Sequence, residues 1–269
     1  MTEAESKHTY LVSYLRGGVK RDSKLDYAVK KVGVMKPVEL QCVVSSVKMM
    51  TPTVFQLSFT TQSPLEFAGG QFISLFIPGA GPNGRDLRRA YSIASPPELN
   101  PIELCIKLVE GGPGTQYLYS LKPGQTFKVM APYGDFVYKP KPGRQACFVA
   151  TGTGLAPFRS ILTSKAYQQN PPPRAYCLLG VRTENELLYE DVLDHLPGLE
   201  FVKAVSQPTL AWKGYKGRVT DYLMSQENFP WLETEYYLCG HGGMINEIKA
   251  FLLQKGVAKT SLHQEIYYK

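Results

Sequence analysis

Long apolar runs are absent from this 269-residue chain. No stretch approaches the ~18 to 20 residues that a membrane-crossing helix needs, so no transmembrane segment is expected. The opening residues, Met1-Thr2-Glu3-Ala4-Glu5, place acids where a secretory leader carries positive charge and an apolar run, and the expected location is the cytoplasm. Cysteine is sparse: Cys42, Cys105, Cys147, Cys177 and Cys239 are odd in number, widely spaced, and lack the close spacing of zinc or iron–sulfur ligands. They read as reduced thiols, mostly small core residues, and no metal site is expected. Any one-electron acceptor is then a separate protein. Zinc-finger, RNA-recognition and basic-zipper signatures are missing as well, so positive charge alone is not read as nucleic-acid binding. Internal repeats, heptad runs and extended low-complexity segments are also absent.

What is present is the composition of a soluble globular protein, 43% hydrophobic and 20% charged, at a length that suits two domains with separate cores. The formal net charge of +7 comes from 30 Lys and Arg against 23 Asp and Glu. Much of the excess lies early, with eight bases and four acids among residues 1 to 36. Residues 1 to 37 are read as a basic N-terminal extension. Two readings of it stand side by side: a surface that steers an acidic redox protein or an anionic membrane, and a solvated arm.

From residue 38 to about 142 the chain reads as short strands. Val54-Phe55-Gln56-Leu57-Ser58-Phe59, Phe72-Ile73-Ser74-Leu75-Phe76-Ile77 and Glu103-Leu104-Cys105-Ile106-Lys107-Leu108 are separated by Gly and Pro clusters, which predicts an all-β antiparallel barrel. After Pro140-Lys141-Pro142-Gly143 the rhythm changes. Over 143 to 269, strands at 146–150, 175–179, 201–205 and 235–239 alternate with helical stretches near 158–168, 185–195, 219–224 and 244–255. That alternation predicts an α/β domain with a parallel sheet and crossover helices.

Four short runs carry chemistry. Arg89-Ala90-Tyr91-Ser92 offers a guanidinium for phosphate, an aromatic face for a flat ring and a hydroxyl. In an extended strand Arg89 and Tyr91 share a face and Ser92 points away. Gly111-Gly112-Pro113-Gly114-Thr115 follows a strand and precedes a short helix, where amides and a hydroxyl accept a pyrophosphate. Gly152-Thr153-Gly154-Leu155-Ala156-Pro157 is a second glycine turn between strand and helix, with Pro157 where the dinucleotide fingerprint has its third glycine. Cys239-Gly240-His241-Gly242-Gly243-Met244 ends one strand and opens a helix, which places a thiol where parallel sheets bind ligands.

In this order the runs resemble the ferredoxin–NADP reductase family, whose flavin domain carries Arg-x-Tyr-Ser, Gly-x-x-Ser/Thr and Pro-x-Gly-x-Phe (here Pro132-Tyr133-Gly134-Asp135-Phe136). Its nicotinamide domain carries Gly-Thr-Gly-x-Ala-Pro, Cys-Gly-x-x-x-Met and a C-terminal Glu-x-Tyr, here Glu265 and Tyr267. The resemblance covers roughly residues 38 to 269. It implies FAD bound by Arg89, Ala90, Tyr91 and Ser92, by the strand end Ile106, Lys107 and Leu108, and by Gly112, Gly114 and Thr115. It implies a nicotinamide dinucleotide bound by Thr153, Gly154, Arg182, Ser206, Arg218, Gly240 and Met244. Ser92, Cys239 and Glu265 are the expected groups around hydride transfer, with Cys239 positioning the nicotinamide rather than attacking it. Tyr267 is expected to cover the flavin as a displaceable gate, since a stacked ring adds only ~1 kcal/mol beyond its area. The extra Tyr268 and Lys269 resemble bacterial members whose last residues reach the adenine side of FAD.

The implied activity is electron transfer from NADPH through FAD to an acidic ferredoxin or flavodoxin, by a monomer. The choice of nicotinamide stays divided. Arg182 and Arg218 stand where bacterial members place phosphate-binding arginines, which favours NADPH. Ser206-Gln207 replaces the Ser-Arg of NADPH users, and Trp212-Lys213-Gly214-Tyr215-Lys216-Gly217 is similar to NADH-using oxygenase reductases. Two alternatives follow: the reductase component of an oxygenase system, and a slow flavin-binding regulatory or recruitment module.

Overall fold

The computed structural model describes residues 36–268. The basic extension, save its last two residues, and Lys269 lie outside the described residues. The first half consists of β1 (Val38–Thr51), β2 (Val54–Thr61), β3 (Phe72–Ile77), β4 (Leu87–Ser92), β5 (Ile102–Lys107), helix α1 (Pro113–Ser120) and β6 (Thr126–Tyr133). The strands form one antiparallel sheet in the order β4-β3-β6-β1-β2-β5, and a bridge from Ile93 to Leu104 joins its two edges. The long strand β1 serves two partners, pairing with β6 through its first residues and with β2 beyond, and the register breaks near residue 45. Such a bulge bends the strand around the barrel. Alternation then fills the interior: Ile73, Leu75 and Ile77 of β3 are buried, and so are Leu57, Leu104, Phe127 and Val129. Each such side chain contributes roughly 1.5–3 kcal/mol by leaving water. Helix α1 starts on Pro113, whose missing N–H costs nothing at a first helical position, and buries Leu118 in this core.

The second half is β7 (Gln145–Thr151), α2 (Ala156–Leu162), α3 (Lys165–Gln169), β8 (Ala175–Val181), α4 (Glu190–Leu193), β9 (Leu199–Val205), β10 (Tyr215–Lys216), α5 (Val219–Met224), β11 (Thr234–His241), α6 (Gly242–Gln254) and β12 (Leu262–Tyr268). All six strands are parallel, in the order β10-β9-β8-β7-β11-β12. The chain moves outward from β7 in one direction and returns to its other side at β11. The carboxyl ends of β7 and β11 are therefore the topological switch point, where open parallel sheets hold their ligands. Both strands are sealed on two faces, with Cys147 to Ala150 and Tyr236 to Cys239 fully buried.

The antiparallel barrel followed by a parallel sheet agrees with the fold class expected from sequence, and the differences are local. The helix expected over 158–168 breaks in two, because Thr163 Oγ1 donates back to the Arg159 carbonyl at 2.6 Å and Ser164 Oγ caps α3 by accepting from Tyr167 N at 3.2 Å. The helix expected over 185–195 shrinks to a single 3-10 turn and α4, interrupted by Tyr189 in the left-handed region at φ 56°. The C-terminal residues, for which the sequence reading gave a motif but no secondary structure, form an edge strand of the parallel sheet.

Candidate active site between the two domains

β4 carries the flavin-side run along an edge of the barrel. Arg89 and Tyr91 lie across from the core residues Leu75 and Ile73, and Arg88, on the other face, donates to Ser74 Oγ at 3.0 Å and Tyr133 OH at 3.2 Å. Arg89 is exposed, and its one side-chain bond among the described residues goes to a carbonyl, that of Arg88 at 3.0 Å. Its charge is unopposed by a carboxylate there. The first turn of α1 comes close because residue 114 is glycine: a Cβ there would stand 2.7 Å from Ile77 Cδ1, 3.1 Å from the Tyr91 hydroxyl and 3.4 Å from Arg89 Cγ. A free guanidinium, an aromatic ring and the unpaired amides of a helix start thus converge. Thr115 works inside the turn, accepting from Val109 N at 3.1 Å and donating to the Gly112 carbonyl at 3.2 Å.

Ser92, at the end of β4, is buried and turns away from Arg89 and Tyr91. Its hydroxyl donates to Glu265 Oε2 at 2.9 Å and accepts from the Tyr267 hydroxyl at 2.7 Å. Both partners come from β12, 173 and 175 residues away. In the parallel ladder Glu265 lies opposite Cys239. Burial, with the Asp135 carboxylate adding to it and Ser92 opposing, pushes Glu265 up to about 7. Burial, with the Glu265 carboxylate adding to it, raises the Cys239 thiol well above its ordinary value. The sulfur therefore stays a protonated thiol at neutral pH and is a poor nucleophile. The same two influences, with Cys239 adding, raise Tyr267.

Beside this cluster runs a cavity of about 430 Å³ lined from both domains. The barrel contributes Thr53, Val54 and Lys107. The parallel-sheet domain contributes the turn Thr151-Gly152-Thr153 after β7, Arg182 after β8, Ser206 after β9, Arg218 before α5, and His241, Met244 and Tyr268. The turn is pressed against β11, since a Cβ on Gly154 would stand 2.5 Å from the Cys239 carbonyl oxygen. Thr151 Oγ1 accepts from His241 N at 3.0 Å and so ties together the two strand ends at the switch point. His241 caps α6 through Nδ1, which accepts from Gly243 N at 3.0 Å, and its ring meets Tyr268 edge-on at 5.2 Å.

Comparison with known proteins agrees with this geometry. The oxidoreductase FAD-binding domain model matches residues 41–138 and the oxidoreductase NAD-binding domain model matches residues 148–250. Ferredoxin–NADP reductase B of Sorangium cellulosum is 30% identical over 241 residues, which span 82% of this chain and 95% of that protein. The chain belongs to the ferredoxin–NADP reductase family. The reductase is also 30% identical, over 234 residues, to the reductase component of phenol 2-monooxygenase from Pseudomonas sp. strain CF600, covering 84% of this chain but only 65% of that one. Its fold matches a ferredoxin NADP+ reductase from Neisseria gonorrhoeae solved with FAD and NADP, at TM-score 0.75 and 23% identity, over 87% of this chain and 99% of that one. It is a flavin-dependent electron-transfer oxidoreductase that takes FAD and a nicotinamide nucleotide.

The residues of the reductase suit these groups. The helix start that Gly114 lets close against Tyr91, beside an Arg89 without a carboxylate partner among the described residues, offers amides and a cation that suit a pyrophosphate on the flavin side. Of the flavin-side expectations, Ala90 is exposed on β4, Lys107 lines the cavity, and Leu108 borders a second hollow with Val109, Gln116 and Tyr119. Ile106 is only 2% exposed and packs in the barrel core, so its main chain alone can meet a ligand. On the nicotinamide side, Thr153, Arg182, Ser206, Arg218 and Met244 all line one cavity, and Gly240 adjoins it; Tyr268, expected at the adenine side of FAD, lines the same cavity. The arginines differ. Arg182 is exposed without an ion pair among the described residues, whereas Arg218 Nη2 lies 2.6 Å from Glu247 Oε2. Sequence reasoning missed Thr151, Thr53 and Thr220; only Thr151, directly before a glycine turn, carried any signal.

Proposed function

We propose that this reductase draws electrons from NADPH and passes them by way of FAD to an acidic one-electron carrier such as a ferredoxin or flavodoxin, as a cytoplasmic monomer. The observation that carries the reading is the Ser92 hydroxyl of the barrel, held between Glu265 and Tyr267 of the parallel-sheet domain, with Tyr267 next in sequence to the cavity-lining Tyr268. FAD, when bound, supplies a hydride acceptor that can release electrons one at a time. The chain supplies orientation. Arg89 and the start of α1 hold phosphate, Thr153 and the turn around it seat the dinucleotide, and Cys239 gives the nicotinamide a neutral, apolar wall. Tyr267 surrenders its bond to Ser92 when nicotinamide takes its place. Glu265, poised near neutrality, keeps a proton at the Ser92 hydroxyl and limits negative charge beside the arriving hydride.

The NADPH preference is supported by the unengaged Arg182 in the cavity, whose forked donors suit a phosphate monoester. No helix among the described residues is long and apolar enough to cross a membrane, which agrees with work in solution. A second reading, an NADH-dependent reductase component of an oxygenase system, is favoured by the ion pair that occupies Arg218 and by the likeness to the phenol monooxygenase reductase component. Anaerobic stopped-flow with FAD-loaded protein separates them: kcat/KM for NADPH should exceed that for NADH, and equality or reversal would overturn the preference. The acceptor is identified by titrating NADPH-dependent reduction across ferredoxins and flavodoxins, with the full chain and with a form lacking residues 1 to 37.

A further inference from the structure

Outside the hydride site, one buried charge joins the two halves. Glu103, the second residue of β5, interrupts the buried apolar stretch from Ile102 to Ile106, and Arg159 lies in α2 directly after the nicotinamide turn; both are sealed from solvent, at 7% and 6% exposure. Arg159 Nη1 donates to Glu103 Oε2 at 2.7 Å and to the Ala94 carbonyl at 3.0 Å. Ala94 is two residues beyond Ser92. The guanidinium also lies over the Tyr189 ring, 4.5 Å from its centroid, and Tyr189 sits in left-handed backbone next to Leu188, which lines the cavity. Two further bonds run in parallel: Ser160 Oγ donates to the Ser95 carbonyl at 2.7 Å, and Ser95 Oγ accepts from Glu103 N at 3.0 Å.

We propose that Arg159 and Glu103 are positioning residues for hydride transfer, setting the separation between the strand that ends in Ser92 and the turn at Gly152–Leu155. A buried ion pair adds little net stability over an apolar pair of the same shape, because desolvation cancels most of the attraction. What it adds is direction. A planar guanidinium fixed by a carboxylate, a carbonyl and a ring defines a distance and an angle, where aliphatic side chains slide. The contact spans the domain boundary beside both reacting elements, and a misplacement of about 1 Å between reacting groups can cost about 100-fold in rate. The proposal rests on the placement of hydride transfer at Ser92 and Cys239.

The test is the double variant Glu103→Leu/Arg159→Met as FAD-loaded protein, beside Arg159→Lys and Ser92→Ala. In anaerobic stopped-flow with NADPH, the double variant should lose about tenfold or more in limiting flavin-reduction rate, with apparent Kd for NADPH, FAD content and Tm close to the parent. Amide hydrogen exchange over residues 92–95 and 156–162, followed without NADPH, should quicken in the same variant. Arg159→Lys, which keeps a charge opposite Glu103, should recover part of the rate. An unchanged limiting rate and unchanged exchange in the double variant would overturn the proposal. If the double variant does not fold, Arg159→Lys decides alone, a rate and exchange equal to the parent's counting against positioning. Ser92→Ala separates the two readings. If its reduction rate is normal, the placement of hydride transfer fails; if it is slow while the double variant is normal, only the positioning role fails.

Discussion

Arg89 and Ser92 sit three residues apart on β4 and work under opposite conditions. Arg89 is exposed, without a carboxylate partner among the described residues, and its setting is made by nearby strands and the start of α1. Ser92 is buried, and its hydroxyl is satisfied only by residues at the far end of the chain. An exposed cation beside helix amides attracts a charged ligand and tolerates solvent. A buried hydroxyl between a carboxyl and a phenol must be assembled by the whole fold, and small displacements there matter because water cannot repair them. In the proposed reading, gripping a cofactor and reacting with it are thus separated along one strand.

The sharpest way to break this contrast is to truncate each side chain. Ser92→Ala should slow flavin reduction by NADPH up to about 100-fold with FAD still bound, measured by stopped-flow and flavin absorbance. Arg89→Gln should do the reverse, weakening FAD binding by about 10- to 100-fold while the protein reloaded with excess FAD is reduced at a near-parental rate. FAD loss in Ser92→Ala, or unchanged FAD affinity in Arg89→Gln, would erase the distinction. Cys239→Ala should slow reduction by about tenfold without loss of FAD, since the thiol orients rather than reacts. An alkylation-like covalent adduct on Cys239 during turnover would contradict its raised pKa.

Smaller effects test the electrostatics. The native pKa of Glu265, about 7, stands above its ordinary 4.5, so the folded protein binds this proton more tightly than the unfolded chain. Its stabilising share is complete below about pH 4.5 and is lost as pH rises through about 7. Glu265→Gln should therefore flatten the pH dependence of Tm across that window, and an unaltered slope would show that the carboxyl ionises normally. The smallest change is expected at the cavity rim. Glu247→Gln frees Arg218 and should lower KM for NADPH by about two- to fivefold, leaving NADH unaffected, because an exposed ion pair is worth only about 0.2–1 kcal/mol. Equal shifts for both nucleotides would remove Arg218 from phosphate recognition.

Much of the site was legible in contiguous residues. Arg89 to Ser92, Gly112 to Thr115 and Gly152 to Pro157 each carry a local backbone and a side-chain set whose proposed use draws on strand periodicity, turn chemistry and the family resemblance, and the structure places each run at a strand end or helix start. Even the opposed directions of Tyr91 and Ser92 follow from the two-residue repeat of a strand. Other features had no local sign. Thr53 lines the cavity because a β-hairpin turn of the barrel happens to face the second domain. Glu103 and Arg159 are two charged residues 56 positions apart, and nothing in either segment announces that they meet. No strand was assigned to β12 from sequence, since its exposed Gln264, Ile266 and Tyr268 alternate too weakly to reveal its parallel partner β11.

By itself the sequence determined the barrel and the parallel sheet, the two glycine turns, and the residue types available to phosphate, ring and hydride. These depend on interactions between near neighbours: periodicity, turn conformations and strand alternation. Only the tertiary structure decided that Ser92 meets Glu265 and Tyr267, that Cys239 is sealed into a neutral thiol, that Arg218 has an ion pair among the described residues while Arg182 has none there, and that Arg159 crosses the domain boundary. Such outcomes depend on burial and on partners scores of residues away, and a charge or hydroxyl acquires its properties from what excludes water around it.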